Sequence, residues 1–216
     1  MKIETKKLVM LAMFSALAFI LVTVGRIPIV LFLKYDPKDV LITISGFIFG
    51  PLSALLVSTV VSFVEMITIS DNGVIGFVMN IISTGSFACV ASFVYKKGKK
   101  TNKSAIVGLI LGCITMVCTM LLWNYLIAPI YMGVPRKDVV KLLIPAFFPF
   151  NLIKGGLNAA FTMLLYKPLL KTFKAANMDV GIKDEIVEKS NKGVILLSVF
   201  VLIACTLFIL AINNKF

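Results

Sequence analysis

Long apolar runs, separated by short polar segments, make up most of this sequence. The runs cover residues 8–25, 40–69, 74–95, 104–131, 142–170 and 194–212. A helix needs about 20 apolar residues to cross roughly 30 Å of hydrocarbon. Gly50 and Pro51 divide the second run in two, because proline cannot continue a helix and glycine permits a turn. The pattern therefore predicts a polytopic α-helical membrane protein with seven apolar segments.

The first half of the divided run, residues 40–49, is too short to cross a bilayer as a straight, lipid-exposed helix. Irregular backbone is tolerated at membrane depth only where protein or a cavity surrounds it. We therefore expect this segment to be tilted, sheltered by neighbouring helices or extended through the preceding loop.

The composition agrees with a membrane protein and narrows the possible chemistry. Of the 216 residues, 59% are hydrophobic and 15% charged, against about 25% charged residues in soluble domains. The net charge of +12 does not indicate nucleic acid as a partner, because the basic residues lie between apolar runs. The sequence has no histidine, which excludes Ser-His-Asp triads and histidine-ligated metals. The four cysteines lie in apolar runs and are interpreted as buried small hydrophobes.

The distribution of basic residues predicts the orientation in the membrane. If the N-terminus is cytoplasmic, the inside segments hold fourteen lysines and the outside segments hold seven basic residues. Lysine and arginine are enriched in cytoplasmic loops, so this difference predicts an inside N-terminus, and seven spans would place the C-terminus outside. The first run is long and no small-x-small cleavage site follows it, so we interpret it as a retained span and not a signal peptide.

Lys154 is the most unusual polar residue, since it lies well inside the sixth apolar segment, residues 142–170. A charge at the centre of a membrane helix costs about 2.5–3.5 kcal/mol on insertion scales. Asn151 and Asn158 lie three residues before and four after it, so all three side chains share one helix face. The alternative is a lysine that extends to the interface, which Pro145 and Pro149 would favour by making the helix begin late.

Further polar residues interrupt other runs: Asn124 in the fifth span, Glu65 in the third and Asn80 in the fourth. Each asparagine alone would be explained by hydrogen bonding between helices. Together with Lys154, however, these amide and charged groups lie in the outer halves of different spans. They predict a polar pocket that opens to the outside.

Residues 26–38 form an outer loop that is unusually apolar before Tyr35-Asp36-Pro37. A solvated loop is normally polar, so we expect this one either to cover the mouth of the pocket as a lid or to insert partly into the membrane. Ala12 and Ala16 share a face of the first span, and small residues at this spacing allow close helix contact.

Missing motifs limit the function as much as the motifs that are present. The sequence contains no G-x-x-x-x-G-K-[ST] phosphate loop, so the chain hydrolyses no nucleotide by that route. No conspicuous carboxylate relay crosses the spans, which argues against a proton-coupled pump.

Taken together, several motifs resemble the riboflavin-specific substrate-binding (S) components of energy-coupling factor (ECF) transporters. The resemblance covers residues 2–174 and includes Lys34-Tyr35-Asp36-Pro37-Lys38-Asp39, Gly46-Phe47-Ile48-Phe49-Gly50-Pro51, Gly76-Phe77-Val78-Met79-Asn80, Asn124 with Pro129-Ile130-Tyr131-Met132-Gly133, and Pro149-Phe150-Asn151-Leu152-Ile153-Lys154-Gly155. It implies an all-α membrane fold of six transmembrane helices in a bacterial cell membrane, with a pocket that the first loop covers at Lys34, Tyr35, Asp36 and Pro37.

The resemblance also implies roles for individual residues. Asn124, Asn151 and Lys154 would hydrogen-bond the polar edge of the flavin ring, which offers carbonyl oxygens and ring nitrogens. Aromatic neighbours such as Tyr35 and Phe77 would pack on its faces. Glu65 and Asn80 are expected to contact the ribityl chain.

Partners follow from the same resemblance. The face of Ala12 and Ala16 would dock against a transmembrane coupling subunit, and two ATPase subunits would supply the energy. Riboflavin would be cargo, with no cofactor and no catalytic activity in this chain. The binding domain would end at residue 174, before a cytoplasmic linker at 175–193 with a short surface helix near 182–188. Residues 194–216 would form an extra transmembrane helix that six-helix members lack.

Two alternatives remain open at this point. The chain could be an S component for another vitamin, such as thiamine, folate, biotin or pantothenate. A thiamine cation, however, should prefer carboxylates and an aromatic cage. A small intramembrane enzyme is the other alternative, although the sequence has neither histidine nor a paired aspartate motif for a divalent metal.

Overall fold

A computed structural model describes residues 2–30, 33–70, 72–175 and 192–213. The elements, in chain order, are α1 Lys2–Gly25, β1 Ile27–Val30, β2 Leu33–Tyr35, α2 Lys38–Phe49, α3 Pro51–Thr68, α4 Gly73–Lys97, α5 Asn102–Met132, α6 Arg136–Leu142, a π-helical turn Leu143–Phe147, α7 Phe148–Ala175 and α8 Lys192–Asn213. The surface helix expected near 182–188 lies outside the described residues. The division into a binding domain, a linker and an extra helix stays a prediction.

Helices dominate the fold, as the apolar runs predicted. Within the described residues, six helices are long and apolar enough to cross a membrane: α1, α3, α4, α5, the continuous α6–α7 and α8. The predicted all-α membrane class is confirmed, with α8 added after the other spans.

The short helix α2 explains the irregular segment in the sequence. It has only 12 residues, and nearly all of them are buried. Gly50 follows it with a φ of 101°, a left-handed conformation that favours glycine, and Pro51 begins α3. The segment is therefore sheltered by its neighbours, which is one of the three possibilities that its length left open, and it begins inside the protein at Lys38.

The sixth span is longer than its prolines suggested. Backbone helix begins at Arg136 and continues through the π-helical turn Leu143–Phe147 into α7. The late helix start, which was the basis of the alternative interpretation of Lys154, is therefore not observed. Proline lacks an N–H and clashes with the preceding turn of an α-helix, and the wider π turn accommodates Pro145.

The apolar first loop forms a β-hairpin. Strands β1 and β2 pair in antiparallel fashion, with Ile27 opposite Tyr35. Ile29 and Tyr35 are buried against Ile153 and Leu157 of α7, which explains why this loop is apolar. The hairpin thus packs on the bundle, and its action as a lid stays a prediction.

Helix α8 packs against α7 and against the hairpin. Its Leu202, Cys205 and Ile209 lie beside the same apolar cluster that buries Ile29. Gly156 of α7 leaves room for this contact, because a Cβ there would lie 3.0 Å from the Cys205 sulfur. Most of the remaining α8 surface is exposed, as expected for a helix in contact with lipid.

Candidate ligand-binding site

A cavity of about 370 Å³ lies at the end of the bundle that holds the hairpin. It is lined by Arg26, Leu33, Lys34, Asp36, Ser70, Asn72, Ile75, Gly76, Met79, Asn80, Ser83, Met120, Asn124, Tyr131, Phe147, Phe150, Asn151 and Lys154. Ligand pockets typically enclose about 300–1,000 Å³ and combine an apolar lining with a few placed polar groups. The size and lining fit a small organic ligand.

One face of the sixth span supplies a wall of this cavity. Phe147, Phe150, Asn151 and Lys154 all line it, and their spacing of three, four and seven residues places them on one helix face. Sequence reasoning found Asn151 and Lys154 but missed the two phenylalanines. The signal was available, since each lies four residues before one of the polar pair.

Lys154 is buried, and its charge is balanced inside the protein. Its Nζ lies 3.0 Å from Asp39 Oδ2 and donates to Ser83 Oγ at 3.3 Å. Only 5% of the residue is exposed, so it does not extend to an interface. An ammonium has three N–H donors. Two have acceptors within the described residues, and no acceptor for the third is seen there.

Asp39 organises the donors around it, although sequence reasoning did not single it out as a site residue. It lies in the first turn of α2, where the helix dipole favours a negative charge. Besides pairing with Lys154, it accepts a 2.7 Å hydrogen bond from Thr84 Oγ1 and a 3.2 Å bond from Asn158 Nδ2. A buried carboxylate requires this level of compensation.

A second buried ion pair stands beside the first. Lys38 Nζ lies 2.5 and 2.6 Å from the two carboxylate oxygens of Glu65. Glu65 Oε2 also accepts a 2.9 Å hydrogen bond from Asn80 and lies 3.7 Å from Arg26. The outer loop was predicted to extend to residue 38, but Lys38 already belongs to α2 and is fully buried.

The hairpin is joined to this network at its base. Arg26 Nε donates to Asp36 Oδ1 at 2.8 Å, and Lys38 Nζ lies 4.0 Å from Asp36 Oδ2. Burial alone would raise the pKa of Asp36, but the positive charges of Lys38, Lys154 and Arg26 and the Arg26 hydrogen bond hold this pKa below its usual value. Asp36 is therefore ionised at neutral pH.

Three cations and three anions make up this ion-pair network: Arg26, Lys38 and Lys154 with Asp36, Asp39 and Glu65. With all six groups ionised, their charges sum to zero. The network therefore needs no ionic ligand to neutralise it.

Asn124 and Asn151, the two asparagines predicted to contact the flavin ring, line the cavity and keep unused hydrogen-bonding groups. Asn124 and Asn151 each donate one N–H to a backbone carbonyl four residues earlier, at 2.8 Å. The Tyr131 hydroxyl donates to Asn124 Oδ1 at 3.5 Å. Within the described residues, each amide keeps a second N–H, and the Asn151 oxygen is also available.

Not every predicted residue lines the cavity. Phe77 packs edge-on against Phe63, with ring centroids 6.1 Å apart. Glu65 does not line the cavity but accepts a hydrogen bond from Asn80, which does. Tyr35 is buried, and its hydroxyl donates to Asn158. The geometry thus favours other aromatic neighbours for a ligand, namely Tyr131, Phe147 and Phe150.

The remaining predicted residues belong to the lid loop and to the small-residue face of α1. Of the lid set, Lys34 and Asp36 line the cavity, whereas Pro37 precedes α2 and contacts Gly25. Ala12 and Ala16 are exposed on α1 and are not part of the cavity.

Fold and cavity together define a helical membrane protein that binds a small molecule. The family described as "ECF transporter, substrate-specific component" matches residues 6–166, and the chain belongs to this family. The match ends before α8.

Characterised relatives support the assignment. Riboflavin transporter RibU of Staphylococcus aureus (strain TCH60) is 30% identical and covers 79% of this chain and 94% of its own length. RibU of Streptococcus thermophilus is 32% identical over 77% and 83%. Riboflavin transporter FmnP of Bacillus subtilis (strain 168) is 30% identical over 81% and 99%.

A solved structure gives the same result for the fold. A chain from a study titled "Structure and mechanism of the S component of a bacterial ECF transporter" superposes with a TM-score of 0.67 at 30% identity. The match covers 99% of that chain but 79% of this one. About a fifth of this chain therefore has no counterpart there.

The ion pair of Lys38 and Glu65 predicts a measurable stability effect. Lys38→Met leaves the Glu65 carboxylate buried without its ammonium, and breaking a buried pair costs about 3–5 kcal/mol. We expect a clearly lower thermal midpoint in detergent. The double variant Lys38→Met/Glu65→Gln should recover most of the loss, because no charge is left unpaired.

Lys141→Met provides the matched control. Lys141 is paired with Asp138 at 2.8 Å, but both side chains are largely exposed, so little change in the thermal midpoint is expected. Equal destabilisation by the two lysine variants would contradict the role given to the buried pair.

Proposed function

We propose that this chain is the riboflavin-binding subunit of an ECF transporter. The observation that supports this most directly is the convergence of Lys154, Asn151 and Asn124 on one cavity. Their N–H donors suit the carbonyl oxygens and ring nitrogens at the polar edge of a flavin ring. The names of the relatives RibU and FmnP point to the same vitamin.

The charge balance of the site also favours a neutral ligand. Asp36, Asp39 and Glu65 are the buried carboxylates at the cavity, and each already lies within 4.0 Å of a lysine ammonium, Asp36 and Glu65 of Lys38 and Asp39 of Lys154. A thiamine cation would have to compete with those ammonium groups, whereas the uncharged flavin ring does not. Other vitamins are therefore weaker candidates for this cavity.

The apolar residues of the lining suggest how the ring is held. Phe147 and Phe150 lie one turn before the polar pair on α7, and Met79 and Met120 lie on α4 and α5. Aromatic and thioether side chains pack well on a flat ring. Asn80 remains the proposed contact for the ribityl chain, and Glu65 would act through its hydrogen bond to Asn80.

Transport would require other chains. We propose a cytoplasmic N-terminus, with the cavity open to the outside and the lysine-rich α4–α5 turn inside. The exposed Ala12 and Ala16 would dock a transmembrane coupling subunit, and two ATPase subunits would drive release. In this scheme the chain binds and releases its cargo without catalysing a reaction.

Riboflavin titration of the purified protein tests the binding function. Protein isolated in detergent from riboflavin-containing cells should be yellow, and stripped protein should quench the fluorescence of added riboflavin at one site per chain. Lys154→Ala and Asn151→Ala should each weaken binding by about 10- to 100-fold, because each removes a donor to a ligand acceptor.

Leu152→Ala is the matched control for these variants. Leu152 lies between the two polar residues on α7 but is 44% exposed and does not line the cavity. It should bind riboflavin like the wild type. A colourless wild-type protein that fails to quench riboflavin would contradict the proposed function.

Docking by α1 gives a separate prediction. Ala12→Trp places a large ring on the small-residue face, so it should prevent assembly with the coupling subunit while leaving riboflavin binding intact. Leu17→Trp changes an exposed residue on a different face and should assemble normally. Co-purification with the tagged coupling subunit measures both, and normal assembly of Ala12→Trp would remove this face from the interface.

A further inference from the structure

We propose that Tyr35 is a positioning residue that links the hairpin to the ligand-binding ammonium of Lys154. It acts through three buried polar side chains: Asn158, Asp39 and Lys154 itself. These four residues are called the hairpin relay. The inference rests on the proposed function, since it assigns a task to Lys154 as a ligand contact.

The contacts of the relay are continuous. The Tyr35 hydroxyl donates to Asn158 Oδ1 at 2.9 Å, and Asn158 Nδ2 donates to Asp39 Oδ2 at 3.2 Å. Lys154 Nζ lies 3.0 Å from the same Asp39 oxygen. Exposure of the four residues is 2%, 0%, 0% and 5%, so water does not compete with these bonds.

The direction of the relay is fixed by its chemistry. A phenol held away from water keeps its proton, and burial accordingly raises the pKa of Tyr35. Tyr35 must therefore donate, which requires the oxygen of the Asn158 amide to face it. The amide nitrogen of Asn158 then faces Asp39, which accepts. A single orientation of Asn158 satisfies both neighbours.

Tyr35 influences the cavity without touching it. Successive side chains of a strand point to opposite sides, and Lys34 and Asp36 line the cavity while Tyr35 does not. The Tyr35 ring instead packs with Ile29, Ile153 and other apolar residues between the hairpin and α7. Its hydroxyl can affect a ligand only through Asn158 and Asp39.

Loss of that hydroxyl would remove the hydrogen bond between the hairpin and Asn158. Asn158 would keep only one of its two relay partners, so it would hold Asp39 less firmly on that side. Lys154, which is paired with Asp39, could then shift together with that carboxylate and no longer direct its remaining N–H at the ligand. Because coupling between two equilibria is reciprocal, bound riboflavin should in turn hold the hairpin in place and slow its own escape.

Tyr35→Phe tests the relay, because it removes the hydroxyl and keeps the ring. Riboflavin affinity, measured by fluorescence quenching in detergent, should fall by about tenfold, with a faster dissociation rate. In a Lys154→Ala background the same change should alter the affinity by less than about twofold, since no ammonium is left to position. A merely structural role for Tyr35 would reduce the affinity equally in both backgrounds.

Tyr166→Phe is the matched control. Tyr166 is also buried, and its hydroxyl lies 2.6 Å from the Tyr95 hydroxyl, apart from the relay. Its loss should leave riboflavin affinity within about twofold of the wild type. If the wild type binds riboflavin and Tyr35→Phe binds equally well, the relay alone is overturned. If the wild type does not bind riboflavin, the proposed function is overturned together with the relay.

Discussion

The ion pair between Lys154 and Asp39 is the contact on which the rest of this site depends. Lys154 comes from the sixth span and Asp39 from the first turn of α2, a helix too short to cross the membrane alone. A buried ammonium without a partner would be strongly unfavourable. The pair therefore fixes where α2 begins, and the start of α2 in turn places the hairpin over the cavity.

Neutrality follows from this arrangement. Each buried lysine of the network has a carboxylate partner, and Arg26 and Asp36 complete the balance at the hairpin. The network can therefore present N–H donors without adding net charge to the cavity. A neutral network of this kind is compatible with the uncharged, planar ligand that we propose, riboflavin.

Much of this was predictable from the sequence, and the failures have physical reasons. Helical spacing correctly placed Asn151 and Lys154 on one wall, and the length of residues 40–49 correctly indicated an irregular segment, which the structure shows to be sheltered. Tyr35 and Phe77 were expected to face the ring, but no local pattern records which side of a hairpin or helix meets its neighbours. The partners of buried charges are likewise distant in sequence, so the role of Asp39 was not apparent.

A structure of the riboflavin-bound protein tests the central claim most directly. We expect the flavin ring in the cavity, with a ring acceptor within hydrogen-bond distance of Lys154 Nζ and the ammonium still paired with Asp39. The Asn151 and Asn124 amides should face the same edge. Riboflavin bound elsewhere, or a Lys154 that leaves Asp39 on binding, would contradict it.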